Sequence, residues 1–322
     1  MARRRRAIAA IILAVLCAPG TFLRTDISRD PPETVAVEQV ASASDTATPV
    51  WSVAGVWHYS ADSLLFGGFS TLMTLPDGRL QAFSDRGARF TFAEPDGPAS
   101  DFSIARQPVL PERFDDIRDM EASTRDPASG TYWIAFENDH AVHRFSAGNE
   151  PNAMRDLVAI AEANRWNDNS GAEAMVRFAD GRFVILPETR RTGLIFPRDP
   201  VAGDEPQTFE YEPPVAGNSA TDMAQLPDGR LLLLLRDVDA GGGLPPFASL
   251  IAIGPEPRAD EVWAPEIALD LAGVIPRENY EGIAVRALDN GRVAVWLIAD
   301  DNLSLIQRTL VAKLIFDPAG TE

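Results

Sequence analysis

FSTLMTLPDGRLQAFSDRG, residues 69–87, sets an apolar strand, an Asp-Gly turn and a second apolar strand end to end. Asp-Gly between two β-rich runs is a strong hairpin signal, because glycine tolerates the positive φ that a tight turn needs. The pattern returns as MEASTRDPASGTYWIAFEND from Met120, AEAMVRFADGRFVILPETR from Ala172, ATDMAQLPDGRLLLLLRD from Ala220 and YEGIAVRALDNGRVAVWLIADDN from Tyr280. The turn glycines, Gly78, Gly130, Gly181, Gly229 and Gly291, are 52, 51, 48 and 62 residues apart.

A recurrence near 50 residues matches one four-stranded propeller blade. The sequence therefore predicts an all-β propeller of five four-stranded blades. A sixth, degenerate blade within residues 236–278 is the alternative, and near-constant hairpin spacing speaks against a pair of β-sandwiches. The outer strands are read as AVHRFS and DLVAIA after the second hairpin, and SLIAIG and EIALDL after the fourth. Helical periodicity is confined to a short turn around Ala159 to Arg165. Residues 51–59 are strand-like and precede the first hairpin, while the chain ends on TLVAKLIF, 309–316. Pairing these two segments would close the ring and remove both open sheet edges.

Composition narrows the chemistry. The 322 residues carry 29 basic and 47 acidic side chains, a formal charge of −18. Four of the basic residues are Arg3, Arg4, Arg5 and Arg6. Such a surface repels nucleic acid and anionic lipid and suits divalent cations. Cys17 is the single cysteine, so a domain without the leader has no disulfide, thiolate zinc site or cysteine nucleophile. Three histidines, His58, His140 and His143, are too few and too scattered for an HExxH site, and there is no G-x-S-x-G elbow. His140 and His143 are expected at the surface, and Trp133, Trp263 and Trp296 in the core between blades.

The arginine cluster precedes an apolar run from Ala7 to Ala18, the layout of a secretory signal. Residues 1–23 are read as a signal peptide or an uncleaved membrane anchor, 24–49 as a flexible linker and 50–322 as the propeller domain. Both versions of the leader leave the domain outside the cytoplasm, periplasmic or extracellular, and anchored to the inner membrane if the segment is retained.

Polar residues recur at two places in each repeat. Ser70, Glu121, Glu173, Thr221-Asp222 and Glu281 begin the first hairpin strand. Asp85-Arg86, Glu137-Asn138, Glu188, Arg236-Asp237 and Asp300-Asp301-Asn302 end the second. An antiparallel hairpin brings its start and finish to the same end, so all ten clusters are expected at one mouth of the central channel. Crowded carboxylates repel unless a cation joins them, and oxygen ligands without His or Cys favour calcium. Glu121, Glu173, Asp222, Glu281, Asp300 and Asp301 are the expected metal ligands. Asp85, Arg86, Glu137, Glu188, Arg236 and Arg308 are the expected catalytic residues, with Asn138, Arg190, Asn302 and Gln307 contacting substrate. Two readings stand for each arginine, a grip on an anionic oxygen or a structural counter-ion to a neighbouring acid.

The C-terminal stretch NYEGIAVRALDNGRVAVWLIADDNLSLIQRTLVAKLIF resembles the phytase-like domain family, described as esterase-like activity of phytase. Asn279, Glu281, Gly282, Asp300, Asp301, Asn302, Gln307 and Arg308 carry the likeness. GGFS at 67–70, SDRG at 84–87, NSGAEAM from Asn169 and NSATDMAQLPDGRLLLLLRD from Asn218 extend it to about residues 50–318. The resemblance implies a propeller with a hydrolase-type site. β-Propeller phytases hold bridging calcium ions and grip phosphate with lysines and arginines. Lys313 is the only lysine here, which weighs against phytate itself as substrate. The sequence thus leaves two functions: a calcium-dependent hydrolase of phosphate or carboxylic esters, taking a small anionic ester, or a non-catalytic propeller that binds a ligand or a cation.

Overall fold

A computed structural model describes residues 28–98, 101–110, 119–137, 139–166, 171–188, 191–239 and 241–321. The leader, Asn138 and Arg190 lie outside them. Three N-terminal strands come first: β1 (Ala36–Ala41), β2 (Ser44–Thr48) and β3 (Trp51–Ser60). Blade 1 is β4 (Phe69–Thr74), β5 (Arg79–Ser84), β6 (Ala88–Ala93) and β7 (Phe102–Arg106). Blade 2 is β8 (Met120–Arg125), β9 (Tyr132–Phe136), β10 (Ala141–Phe145) and β11 (Pro151–Asp156), followed by a helix, α1 (Val158–Ala163). Blade 3 is β12 (Ala172–Arg177), β13 (Phe183–Pro187), β14 (Thr192–Phe196) and β15 (Gln207–Tyr211). Blade 4 holds β16 (Ser219–Gln225), β17 (Leu231–Val238), β18 (Phe247–Gly254) and β20 (Glu266–Asp270). The two-residue β19 (Val262–Trp263) leaves blade 4 to pair in parallel with β15. Blade 5 is β21 (Asn279–Ala287), β22 (Val293–Asp300) and β23 (Thr309–Phe316), completed by β3.

The five blades stand as expected, and the long fourth repeat interval goes into the β19 excursion rather than a sixth blade. Closure also follows the sequence reading. β3 pairs antiparallel with β23, from Tyr59 opposite Thr309 to Trp51 opposite Phe316. The innermost strands β4, β8, β12, β16 and β21 neighbour one another around the ring, with β21 returning to β4.

The inner strands of each blade are packed on both faces, so they read as continuous apolar runs rather than alternating ones. All eight residues of β22, VAVWLIAD, are buried. Buried side chains fall into five clusters, one per seam between blades, and Trp133, Trp263 and Trp296 sit in three of them as expected. Innermost strands approach so closely that a Cβ on Gly282 would stand 2.8 Å from the Thr71 carbonyl carbon and 2.9 Å from the Leu72 nitrogen.

Three expectations need correction. Residues 36–48 of the expected linker form β1 and β2 on the outer edge of blade 5, covering an edge that β3 would otherwise expose. DLVAIA is not a strand: the Asp156 carboxylate accepts from the Val158 N–H at 2.7 Å, turning the chain into α1, and PNAMRD takes the outer-strand place. His140 and His143 are buried rather than surface residues. His143 packs 4.6 Å from the Phe136 ring, and burial pushes its imidazole down to about 4.

The β3–β23 seam turns an open stack into a ring, and Trp51 lies buried with its ring 4.6 Å from that of Phe316. Trp51→Ala is expected to cost about 3–5 kcal/mol in denaturant unfolding, as for large aromatic truncations in a core. A loss below about 1 kcal/mol would show that closure does not rest on this contact.

Candidate functional site

One irregularity is common to all five innermost strands. In β4 the register shifts between Phe69 and Thr71, in β8 between Met120 and Ala122, and in β12 between Ala172 and Ala174. In β16 it shifts between Ala220 and Asp222, and in β21 between Tyr280 and Gly282. The extra residue of each bulge is Ser70, Glu121, Glu173, Thr221 or Glu281. A bulge leaves one residue unpaired and re-aims its side chain. At the end of each second strand, the equivalent positions are Asp85, Glu137, Glu188, Arg236 and Asp300. The fold thus stacks two rings of five positions at one mouth of the channel.

Both rings enclose a cavity of about 220 Å³. Ser70, Glu121, Glu173 and Glu281 line it from the first ring, and all five residues of the second ring line it as well, joined by Asp119 and Asn302. Eight carboxylates therefore face one guanidinium, that of Arg236, among the described residues. Arg236 Nη2 donates to Glu188 at 3.1 Å; Nη1 donates to Asn279 Oδ1 at 3.0 Å and to Glu281. Asn279 Nδ2 donates in turn to Glu281 at 2.8 Å.

Burial and crowding set the protonation of the rings. Burial pushes the Glu121 and Glu173 carboxyls well above the usual range, reinforced by each one's carboxylate neighbours. Burial lifts Glu137 to about 7, with Asp119 adding to the rise. Asp85 also reaches about 7 by burial, against the opposing pull of Arg86. Asp300 is lifted by burial to about 7 although the Asn302 N–H holds it down, and Glu281 reaches about 8 in spite of Arg236. Two carboxylate triads form in the cavity. Oxygens of Asp119, Glu121 and Glu137 lie within 4.8 Å of one another, and so do those of Glu137, Glu173 and Glu188. Six to eight oxygens at 2.3–2.6 Å surround calcium, so ligand oxygens of one ion lie no more than about 5.2 Å apart. Both triads meet that limit, and their all-oxygen chemistry fits a hard divalent cation.

The remaining expected residues stand elsewhere. Asp222 is fully buried beneath the cavity. Its carboxylate accepts from Met223 N–H at 2.8 Å, Ile283 N–H at 2.9 Å and the Thr71 hydroxyl at 3.2 Å, tying blade 4 to blades 5 and 1. Thr71 is also 2.9 Å from the Ser123 hydroxyl, which brings in blade 2. Asp222 does not line the cavity and, held by two backbone N–H groups and a hydroxyl, acts as a fastener between blades. Asp301 likewise does not line the cavity: it accepts from Gly68 N–H at 3.2 Å, Leu303 N–H at 3.1 Å and the Thr309 hydroxyl at 3.0 Å. That grip explains the Gly67-Gly68 pair, whose φ values are 99° and 66° and whose missing side chains make room for Asp301 and Asp85. Arg86 stands behind Asp85, 3.5 Å from its carboxylate, and does not line the cavity. Arg308 is turned away to Glu278 at 2.6 Å, and Gln307 does not line the cavity either. The sequence reading assigns no site role to Asp119 or Asn279. Each lies two residues before its bulge, and that shared offset is the signal that could have found them.

An all-β ring of five blades with bulge-directed acidic side chains at one channel mouth defines a five-bladed β-propeller. The chain belongs to the Phytase-like family, described as esterase-like activity of phytase, whose pattern matches residues 64–303. No curated protein matches the sequence. Among solved structures, a luciferin-regenerating enzyme is similar at 10% identity over 87% of this chain and 95% of that one, with a TM-score of 0.47. A protein of unknown function from Bacteroides thetaiotaomicron is similar at 11% identity over 87% and 76%, TM-score 0.44. Kuenenia stuttgartiensis hydrazine synthase is similar at 10% identity over 86% and 66%, TM-score 0.40. Likeness at this level says nothing about the chemistry of the cavity.

The raised carboxyls have a consequence for stability. A carboxyl whose folded pKa exceeds its unfolded value near 4 keeps its proton in the native state when the unfolded chain has lost it, so stability falls as pH rises towards the folded pKa. Buried His143 acts in the opposite sense, but only up to its ordinary value of 6.5. Cation-free protein is therefore expected to lose thermal stability between about pH 6.5 and pH 8, the upper range set by Asp85, Glu137, Asp300 and Glu281. Thermal melts across that range test this, and a flat or rising midpoint contradicts the carboxyl assignment.

Proposed function

We propose that the protein is an exported, divalent-cation-dependent hydrolase of phosphate or carboxylic esters, with its site in the acidic cavity of the propeller. The observation that carries this reading is the convergence of eight carboxylates and one guanidinium in a cavity of about 220 Å³. Export is supported by the arginine-led apolar leader.

Calcium is the cation that the oxygen donors favour, with Asp119, Glu121, Glu137, Glu173 and Glu188 as its ligands. Bound there, it would supply Lewis acidity and make an attached water a nucleophile near neutral pH. Arg236 is the group that would hold the developing negative charge of the ester, since its fork is fixed by Asn279 and backed by the Phe247 ring. Glu281 and Glu188 keep that fork oriented. Asp85 and Asp300 belong to neither triad and titrate near neutrality, so we assign them to proton transfer to and from the reacting oxygens.

A second reading, a cation-binding propeller without turnover, is favoured by the engagement of Arg236 with two carboxylates. Paired measurements separate the two. The hydrolase reading predicts that calcium raises the melting temperature and that 4-nitrophenyl phosphate or 4-nitrophenyl acetate is turned over, with chelator abolishing both effects. Under the binding reading only the melting temperature moves. Glu281→Gln is expected to lower kcat at least about tenfold by freeing the Arg236 fork. Unchanged turnover in that variant would remove Glu281 and Arg236 from the site.

A further inference from the structure

Blades 4 and 5 enclose a second cavity of about 390 Å³ beside the acidic one. Phe247, Leu271, Ile275 and Tyr280 give it apolar walls, and two charged wall residues are already paired, Arg277 with Asp239 and Glu278 with Arg308. Its volume falls within the range of small-molecule pockets, which combine apolar walls with a few polar groups. One polar group here has no partner. Ser249 is 8% exposed, lines the cavity, and its hydroxyl makes no hydrogen bond. A buried hydroxyl without a partner is costly, and a ligand that supplies one recovers the loss.

The pocket neighbours the acidic cavity across β17 and β18. Ser249 lies directly opposite Arg236 across β17 and β18, and Phe247 lies opposite Val238 on the same face. The Arg236 guanidinium sits 5.9 Å from the centre of the Phe247 ring, while its donors reach the carboxylates of the acidic cavity. Arg236 therefore lies between the two: its donors engage the carboxylates of the acidic cavity, and its guanidinium faces Phe247, a wall residue of the second pocket.

We propose that this pocket takes a compact apolar group, aryl or branched alkyl, attached to the polar head that enters the acidic cavity, with Ser249 hydrogen-bonding the linking oxygen. The inference rests on the hydrolase reading for the nature of that head, and it makes the substrate an ester of an apolar alcohol or phenol rather than a polyphosphate. The hydroxyl contributes orientation, and the apolar walls contribute most of the affinity.

The test uses full-length protein with calcium, and 4-fluorophenol as a probe observed by ¹⁹F NMR. Wild type is expected to bind the probe saturably. Ser249→Ala keeps the fold and removes only the hydroxyl, so it should weaken binding about threefold to tenfold, the range of one net hydrogen bond. Ala272 lines the pocket and is exposed. Ala272→Trp should therefore block the pocket without disturbing the core and abolish probe binding. In turnover, wild type should prefer 4-fluorophenyl phosphate over methyl phosphate, and Ala272→Trp should reduce that preference at least about tenfold. Absent probe binding, or binding and preference unchanged in both variants, overturns the pocket while leaving the hydrolase intact. Probe binding lost in Ala272→Trp by a protein that hydrolyses no ester supports the pocket and removes the hydrolase reading.

Discussion

Five β-bulges, one in each innermost strand, set the geometry on which the site depends. A regular strand alternates its side chains, and a shift of one residue sends the whole set to the other face. Each bulge inserts that shift locally, so Ser70, Glu121, Glu173, Thr221 and Glu281 depart from the pairing that their neighbours keep. Below the bulges the strands resume their register and pack the seams. Above them the chain is committed to polar side chains. The fifth position shows what the bulge alone provides: Thr221 is directed like the others but donates to the Leu234 carbonyl, and it leaves the cavity to its neighbours.

The consequence is electrostatic. Eight carboxylates cannot all ionise around one guanidinium, and the molecule cannot relieve them by moving apart. The inter-blade cores fix the walls, and the Asp222 network fastens blades 4, 5, 1 and 2 just beneath. Protonation and cation binding are the two remaining forms of relief, and they compete for the same oxygens. Stability, acidity and cation affinity in this cavity are therefore one linked equilibrium. Ser123 of the Asp222 network also lines a wider cavity of about 570 Å³.

Much of this is legible in the sequence, because hairpin turns and strand ends are local. The five Asp-Gly or similar turns locate the blades, and the two solitary strands at 51–60 and 309–316 locate the closure. Meeting of distant carboxylates at one mouth comes from hairpin geometry alone. What fails is resolution to a single residue. Asp300 and Asp301 are adjacent in sequence, yet Asp300 lines the cavity and Asp301 does not; Asp222, beside the bulge residue Thr221, is likewise held away by the Met223 and Ile283 N–H groups. That choice depends on the bulge, and no residue type marks it. Arg308 is misread for a different reason, since its partner Glu278 lies in another loop 30 positions away. β1 and β2 are hidden by a composition that suits a tether as well as an exposed edge strand.

The linked equilibrium can be measured directly. Calcium titrated calorimetrically into cation-free protein near pH 6.5, in two buffers of different ionisation heat, counts the protons released on binding. At least one proton is expected to be released per ion, and the release is expected to fall as the pH is raised through about 7, where Glu137 loses its proton unaided. Calcium binding without proton release, or no calcium binding at all, would contradict the linkage.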